Sequence, residues 1–268
     1  MKRSNIQLRF LLLIIPFYYC CKKVINVNLN NAAPQIVIQG NVTNTVGPYQ
    51  VRITQTVNFS ADNTFPPVSG AAVKITDVTT GQTDVLTETS PGIYTTVALP
   101  QGTPGHTYQL NISALGQTYQ ASSAMPLPVV LDSVTFQHVK AFSKTKINAV
   151  PNFQDPPGIA NYYTFQEYIN GKLLARTFSF DDRLSDGKYI SRPLNTSDSA
   201  YLNPGDLLVL QMSCVDKNVY NYFNTLQQAA DANGFQSATP SNPYTNITNN
   251  ALGYFSANTV TSKSTTVK

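Results

Sequence analysis

The chain has 268 residues, enough to bury a large core and too many for a single small stapled module. Asp, Glu, Lys and Arg make up only 12% of it, about half the roughly 25% of ordinary soluble domains, and 18 basic residues against 14 acidic give a formal charge of +4. Lys2, Arg3 and Arg9 fall in an expected cleaved leader, which leaves 15 basic residues against 14 acidic and removes any electrostatic case for a nucleic-acid partner.

Residues 1–20 read as a lipoprotein signal peptide: a basic head, an apolar stretch from Phe10 to Tyr19, then Cys20 and Cys21. The stretch is interrupted by Pro16 and is far shorter than the roughly 20 apolar residues that span a bilayer. Lipidation is expected at Cys21, where Cys20 supplies the small preceding residue that a lipoprotein signal peptidase prefers. Cys20 is the alternative, with the bulky Tyr19 before it. Acyl chains on that cysteine, at about 0.8 kcal/mol per buried CH₂, would anchor the mature protein to a membrane. Cleavage before Cys21 leaves Cys214 as the other cysteine, so no disulfide framework forms, and its run LLVLQMSCV predicts a buried strand thiol.

Residues 21–33 form a polar tether. Alternation of apolar and polar residues then predicts strands at 34–42, 49–57, 71–78, 83–89, 92–99, 106–115 and 117–125, the last two hinged at Gly116. This is the pattern of a seven-stranded immunoglobulin-like or transthyretin-like β-sandwich over 34–125. Pro126 and Pro128 mark a junction to a second β-rich domain, 126–268. Strands are expected there at 129–138, 162–169, 172–180, 206–215 and 251–260, with Asn170-Gly171 predicting a tight hairpin and the terminal SKSTTVK expected to fray. KNVYNYFNTLQQAADANG (217–234) changes to helical spacing, which predicts one helix near 217–232, capped by Asp216, ended by Gly234 and laid over the sheet's core.

The motifs of common enzymes are missing: there is no GxSxG, P-loop, GxGxxG, HExxH or CxxC, and no cofactor is expected. His106 and His138 lie 32 residues apart in strand-like contexts, which argues for structural or solvated imidazoles. A carboxylate-dependent glycan hydrolase would need two convergent acids in a cleft. The densest acidic run, FSFDDRLSDGKY, makes Asp181, Asp182 and Asp186 a candidate calcium set, although not at EF-hand spacing. Asp132-Ser133-Val134 and Asp198-Ser199-Ala200 have the form of short bacterial O-glycosylation sites, making Ser133 and Ser199 candidates. Tyr162, Tyr163, Phe165 and Tyr168 crowd one hairpin, where alternate rings must face the core.

The ordered set KVINV after Cys21, PQIVIQGNV, PPVSGAAVKITD, PGIYTT, GHTYQLNI, MPLPVVLDSV, NPGDLLVLQMSCVD and TNITNNALGYFSA resembles the Bacteroidota lipoprotein family catalogued as domain of unknown function 4249. The resemblance spans nearly the whole mature chain and brings no catalytic residues with it. It implies an outer-membrane lipoprotein, of a kind often encoded beside TonB-dependent transporters and suspected to work with them in nutrient uptake. Lys22 and Lys23 stand where surface-exported lipoproteins of these bacteria tend to carry acidic residues, so both a periplasm-facing and a cell-surface orientation stay open. The expectation is a non-enzymatic, lipid-anchored accessory or ligand-binding partner of a TonB-dependent barrel, taking a small nutrient, glycan or peptide. The alternative is an adhesin or structural envelope lipoprotein without a transporter partner.

Overall fold

Strict alternation in IVIQGNVT places Ile36, Ile38, Gly40 and Val42 on one face of the first strand, β1 (Ile36–Thr43), and Val37, Gln39, Asn41 and Thr43 on the other. The same two-faced rule organises the rest of the mainly β chain. The computed structural model describes residues 33–58, 64–99, 101–141, 144–195, 202–231 and 242–268, of which those from Pro34 onward belong to one compact unit. The strands that follow are β2 (Gln50–Gln55), β3 (Ala72–Asp77), β4 (Thr83–Val85), β5 (Thr87–Ser90), β6 (Ile93–Thr95), β7 (Thr107–Ala114) and β8 (Gln117–Ala124). Beyond them come β9 (Ser133–Ala141), β10 (Lys144–Gln154), β11 (Tyr162–Ile169), β12 (Lys172–Asp181), β13 (Tyr189–Ser191), β14 (Leu207–Cys214), the helix α1 (Lys217–Asp231) and β15 (Leu252–Thr266).

Three sheets result: an eight-stranded sheet in the order β12-β11-β14-β15-β1-β2-β6-β5, a four-stranded sheet β4-β3-β7-β8 and a three-stranded sheet β13-β10-β9. The first core packs Ile38, Val51, Ile53, Tyr94 and Phe255 from the large sheet against Val73, Ile75, Tyr108 and Leu110 from the four-stranded one. A second core packs Tyr163, Phe165, Phe178, Leu210 and Met212 against Ile147, Ala149, Phe153 and Ile190 from the three-stranded sheet. The stretch expected as one strand at 83–89 divides at the buried Leu86: β4 pairs with β3, whereas β5 pairs with β6 in the other sheet. The first sandwich therefore has eight strands of its own rather than seven.

The junction between the halves is β15. Residues 252–258 run parallel to β1, and residues 259–266 run antiparallel to β14. Ala251, Phe255 and Ala257 fill the first core while Val267 enters the second, so the segment 126–268 contributes to both. Gly253 makes the junction possible. It sits at φ +96° beside Ile38, and a Cβ there would lie 1.9 Å from the Ile38 carbonyl oxygen.

Several sequence expectations are corrected here. SKSTTVK is not frayed: β15 continues to Thr266, and the Val267 N–H donates to the Asp206 carbonyl at 2.9 Å. Backbone pairing with the apolar β14 orders this Ser/Thr run, and no apolar alternation signals it. Strand β10 was not expected, because Asn148, Pro151 and Asn152 break its pattern. Asn152 is nevertheless satisfied, its amide donating to the Val150 carbonyl at 3.0 Å and to Thr135 Oγ1 at 3.1 Å. The strand expected from 129 begins only at Ser133, with Val129 and Leu131 buried in the second core ahead of it. The helix starts as expected, with Asp216 Oδ1 accepting from the Asn218 and Val219 N–H groups at 2.8 and 2.9 Å. Its place differs, since it covers the face of the large sheet turned away from both cores. There Val219, Tyr220 and Phe223 pack on Val215 and Tyr162 in a small cluster of their own. Gly234 lies outside the described residues.

Candidate functional site

The same register that fills the cores places polar side chains on the opposite face. On β11 and β14, Thr164 stands directly across from Ser213 and Gln166 across from Gln211, while Thr177 of β12 faces Gln166 from the other side. On β15 and β1, Ser256 pairs with Asn41 and Asn258 with Thr43. These residues, with Val215, line a small open depression of about 70 Å³, to which the rings of Tyr254 and Phe223 also contribute. Tyr254 packs on Tyr222 and Phe223 with ring centroids 4.6 and 4.9 Å away, so the helix and β15 hold this wall together.

The hydrogen bonding of the lining is uneven. Ser256 Oγ donates to Asn258 Oδ1 at 3.0 Å, and the Thr43 and Thr45 hydroxyls share a bond at 2.7 Å. Among the described residues, the side chains of Thr164, Gln166, Thr177, Gln211 and Ser213 have no hydrogen-bond partner. Thr164 and Ser213 are only 6% and 8% exposed, yet neither hydroxyl is sealed from solvent. The lining carries no Asp, Glu, Lys, Arg or His, and its one phenol, Tyr254, is pushed up to about 12 by burial and then by the neighbouring Tyr222. It can accept, donate and stack, and it holds no group that titrates near neutrality.

The acidic candidates are rearranged. Asp182 and Asp186 do converge, but with Asp155 rather than Asp181, each offering an oxygen within 4.8 Å of the others. Asp181 turns instead to Arg183 Nε at 2.8 Å and to the Tyr220 hydroxyl at 2.8 Å. Within the trio, Asp155 accepts from the Tyr163 hydroxyl and from the Gly187 N–H. Asp182 accepts from the Asn161 N–H at 2.7 Å and Asp186 from the Gly158 N–H at 2.8 Å. Loops 156–161 and 182–188 are thus stapled to each other. Burial, and then the charges of Asp155 and Asp186, raise the Asp182 carboxyl above its ordinary range. Asp182 Oδ1 and Asp186 Oδ2 are the oxygens these bonds leave over, so the trio could hold a cation only by adding it to an arrangement already satisfied by backbone donors.

Residues 22–264 match the family described as a domain of unknown function, DUF4249. The chain belongs to this family. No curated protein matches it. The DUF4249 span contains the first core, the second core apart from Val267, the acidic trio and every residue that lines the depression.

The remaining candidates fall in varied places within and around this domain. Cys20, Cys21 and Ser199 lie outside the described residues. Ser133 is exposed at the start of β9. Cys214 is a free, buried thiol whose burial pushes its pKa up. His106 Nδ1 lies 2.7 Å from Asp77 Oδ2, a strand-end contact far in sequence from the acidic trio. Of the hairpin aromatics, Tyr163 and Phe165 are fully buried, while Tyr162 stacks on Tyr220 at 5.1 Å. Asp155 and the depression itself were missed. The only local sign of Asp155 is its turn setting before Pro156-Pro157-Gly158. The depression takes one to three residues from each of five strands and has no linear motif.

Proposed function

We propose that this DUF4249 protein is a non-enzymatic, lipid-anchored binding protein of the outer membrane that serves as an accessory subunit of a TonB-dependent transporter. The observation that carries the binding half is the depression on the outer sheet face, where the hydroxyls and amides of Thr164, Gln166, Thr177, Gln211 and Ser213 have no partner among the described residues and Tyr254 and Phe223 form a wall. Such groups hold and orient a ligand, and they occupy a sheet whose other face is locked into two cores. The anchor half rests on Cys20-Cys21 after the basic, apolar leader. Anchoring confines the protein and a membrane barrel to one surface, which raises their effective concentration for each other.

The test is native pull-down from detergent-solubilised outer membranes through a C-terminal tag, comparing wild type with Cys21→Ala. A stoichiometric β-barrel transporter retained by the lipidated form and lost with Cys21→Ala is the expected result. Recovery of the lipidated protein alone contradicts the transporter role and favours an independent adhesin or structural lipoprotein.

A further inference from the structure

We infer that the depression on the outer face of the eight-stranded sheet is a binding site for a neutral, hydroxyl-rich ligand, a saccharide. The inference rests on the reading of the protein as a binding protein and is independent of its anchor and of any transporter.

The first ground is the unpaired polarity of the floor. Thr164 and Ser213 are more than nine-tenths buried and face each other across the β11–β14 ladder, yet their hydroxyls bond to nothing in the described chain. Two ladder positions away, on the same face, the amides of Gln166 and Gln211 have no partner among the described residues either. Water can pair these hydroxyls in the free protein, and a ligand that displaces it must offer hydrogen-bonding groups in its place or lose affinity. Both hydroxyls remain reachable from the depression, where an incoming ligand can complete them.

The second ground is charge. With no ionised side chain in the lining, a charged ligand would lose hydration and gain no counter-charge. A purely apolar ligand would cover the Gln166 and Gln211 amides without pairing them. A sugar hydroxyl donates and accepts at once and so matches an amide, which does the same. The rings of Tyr254 and Phe223 add an apolar wall against which the C–H face of a sugar ring can lie. A peptide bound in extended form is recognised through main-chain bonds at an open sheet edge. Here the site is a sheet face: the backbones of β11 and β14 are already paired on both sides, and only side chains are on offer.

The test is calorimetric titration of the full lipidated chain in a non-glycosidic detergent. The probes are maltohexaose, cellohexaose, xylohexaose and mannohexaose, with hexagalacturonate as the anionic comparison and a neutral Gly/Ser hexapeptide as the rival class. At least one neutral hexasaccharide is expected to bind, with Gln166→Ala and Gln211→Ala each weakening it about tenfold, the loss of one good hydrogen bond. Ser213→Ala should weaken it as well, and serves as the second variant if either glutamine change impairs folding by circular dichroism. The inference is overturned if no neutral saccharide binds, if only hexagalacturonate or the peptide binds, or if affinity is unchanged in all three variants. Saccharide binding without a co-purifying barrel would refute the transporter role alone. A co-purifying barrel without saccharide binding would refute the ligand class alone.

Discussion

On β11 and β14, adjacent residues face opposite ways and meet opposite fates. Tyr163, Phe165, Leu210 and Met212 are 0% exposed and close-packed, whereas Thr164, Gln166, Gln211 and Ser213 reach a depression with their polar groups unbonded. Backbone pairing is common to both sets, so the difference lies in what the second layer supplies. The inner face meets a complete three-stranded sheet. Among the described residues the outer face meets α1, which covers part of it through Val219, Tyr220 and Phe223. Stability is therefore concentrated on one side of the sheet and recognition on the other, and substitutions can be placed to break that division.

The largest effect is expected where β15 joins the two cores. Gly253→Ala puts a Cβ against the Ile38 carbonyl at a φ that L side chains avoid, and should destabilise by more than about 4 kcal/mol or abolish folding. Urea denaturation with a normal midpoint would show that the close approach of β15 to β1 is dispensable. Next is Phe165→Ala on the inner face, expected to cost about 3–5 kcal/mol by cavity formation, read in the same experiment.

Glu167 sharpens the comparison because it is polar and yet points to the inner face, opposite Leu210 and 4% exposed. Burial raises its carboxyl from 4.5 to about 7. The folded state then holds its proton more tightly than the unfolded state, so the stability linked to this group is fully present below pH 4.5 and is lost as pH rises through about 7. Glu167→Gln should therefore stabilise the protein at pH 8 by about 3 kcal/mol at most and leave it nearly unchanged at pH 4. Equal pH profiles for wild type and variant would mean that the carboxylate is solvated or paired.

Much of the fold was legible in the sequence because half-buried strands announce themselves by alternation. β11 has the expected limits 162–169, and Asn170 and Gly171 both take positive φ in the turn that follows. Gly116 closes the β7–β8 turn in the same manner, with Leu115 also at positive φ. What escaped is what alternation does not encode. Leu86 moves the chain from one sheet to the other within a single apolar-polar run, β10 carries buried asparagines where apolar residues are expected, and the end of β15 is ordered by its partner's backbone. The helix itself could be read from its spacing and from Asp216, but which face it covers depends on tertiary packing. For the sites, Asp182 and Asp186 were found because they share one loop, whereas Asp155 joins them from 27 positions before Asp182. Thr164, Gln166, Gln211 and Ser213 looked like ordinary outward strand residues, and only the register shows that they converge.

The division of labour between the two faces is tested most directly by urea denaturation of the double variant Gln166→Ala/Gln211→Ala beside Phe165→Ala. If the outer face is kept for binding, the double variant unfolds within about 0.5 kcal/mol of wild type while Phe165→Ala loses several. A double variant that loses as much as Phe165→Ala would contradict the account and make the glutamines part of what holds the sheet together.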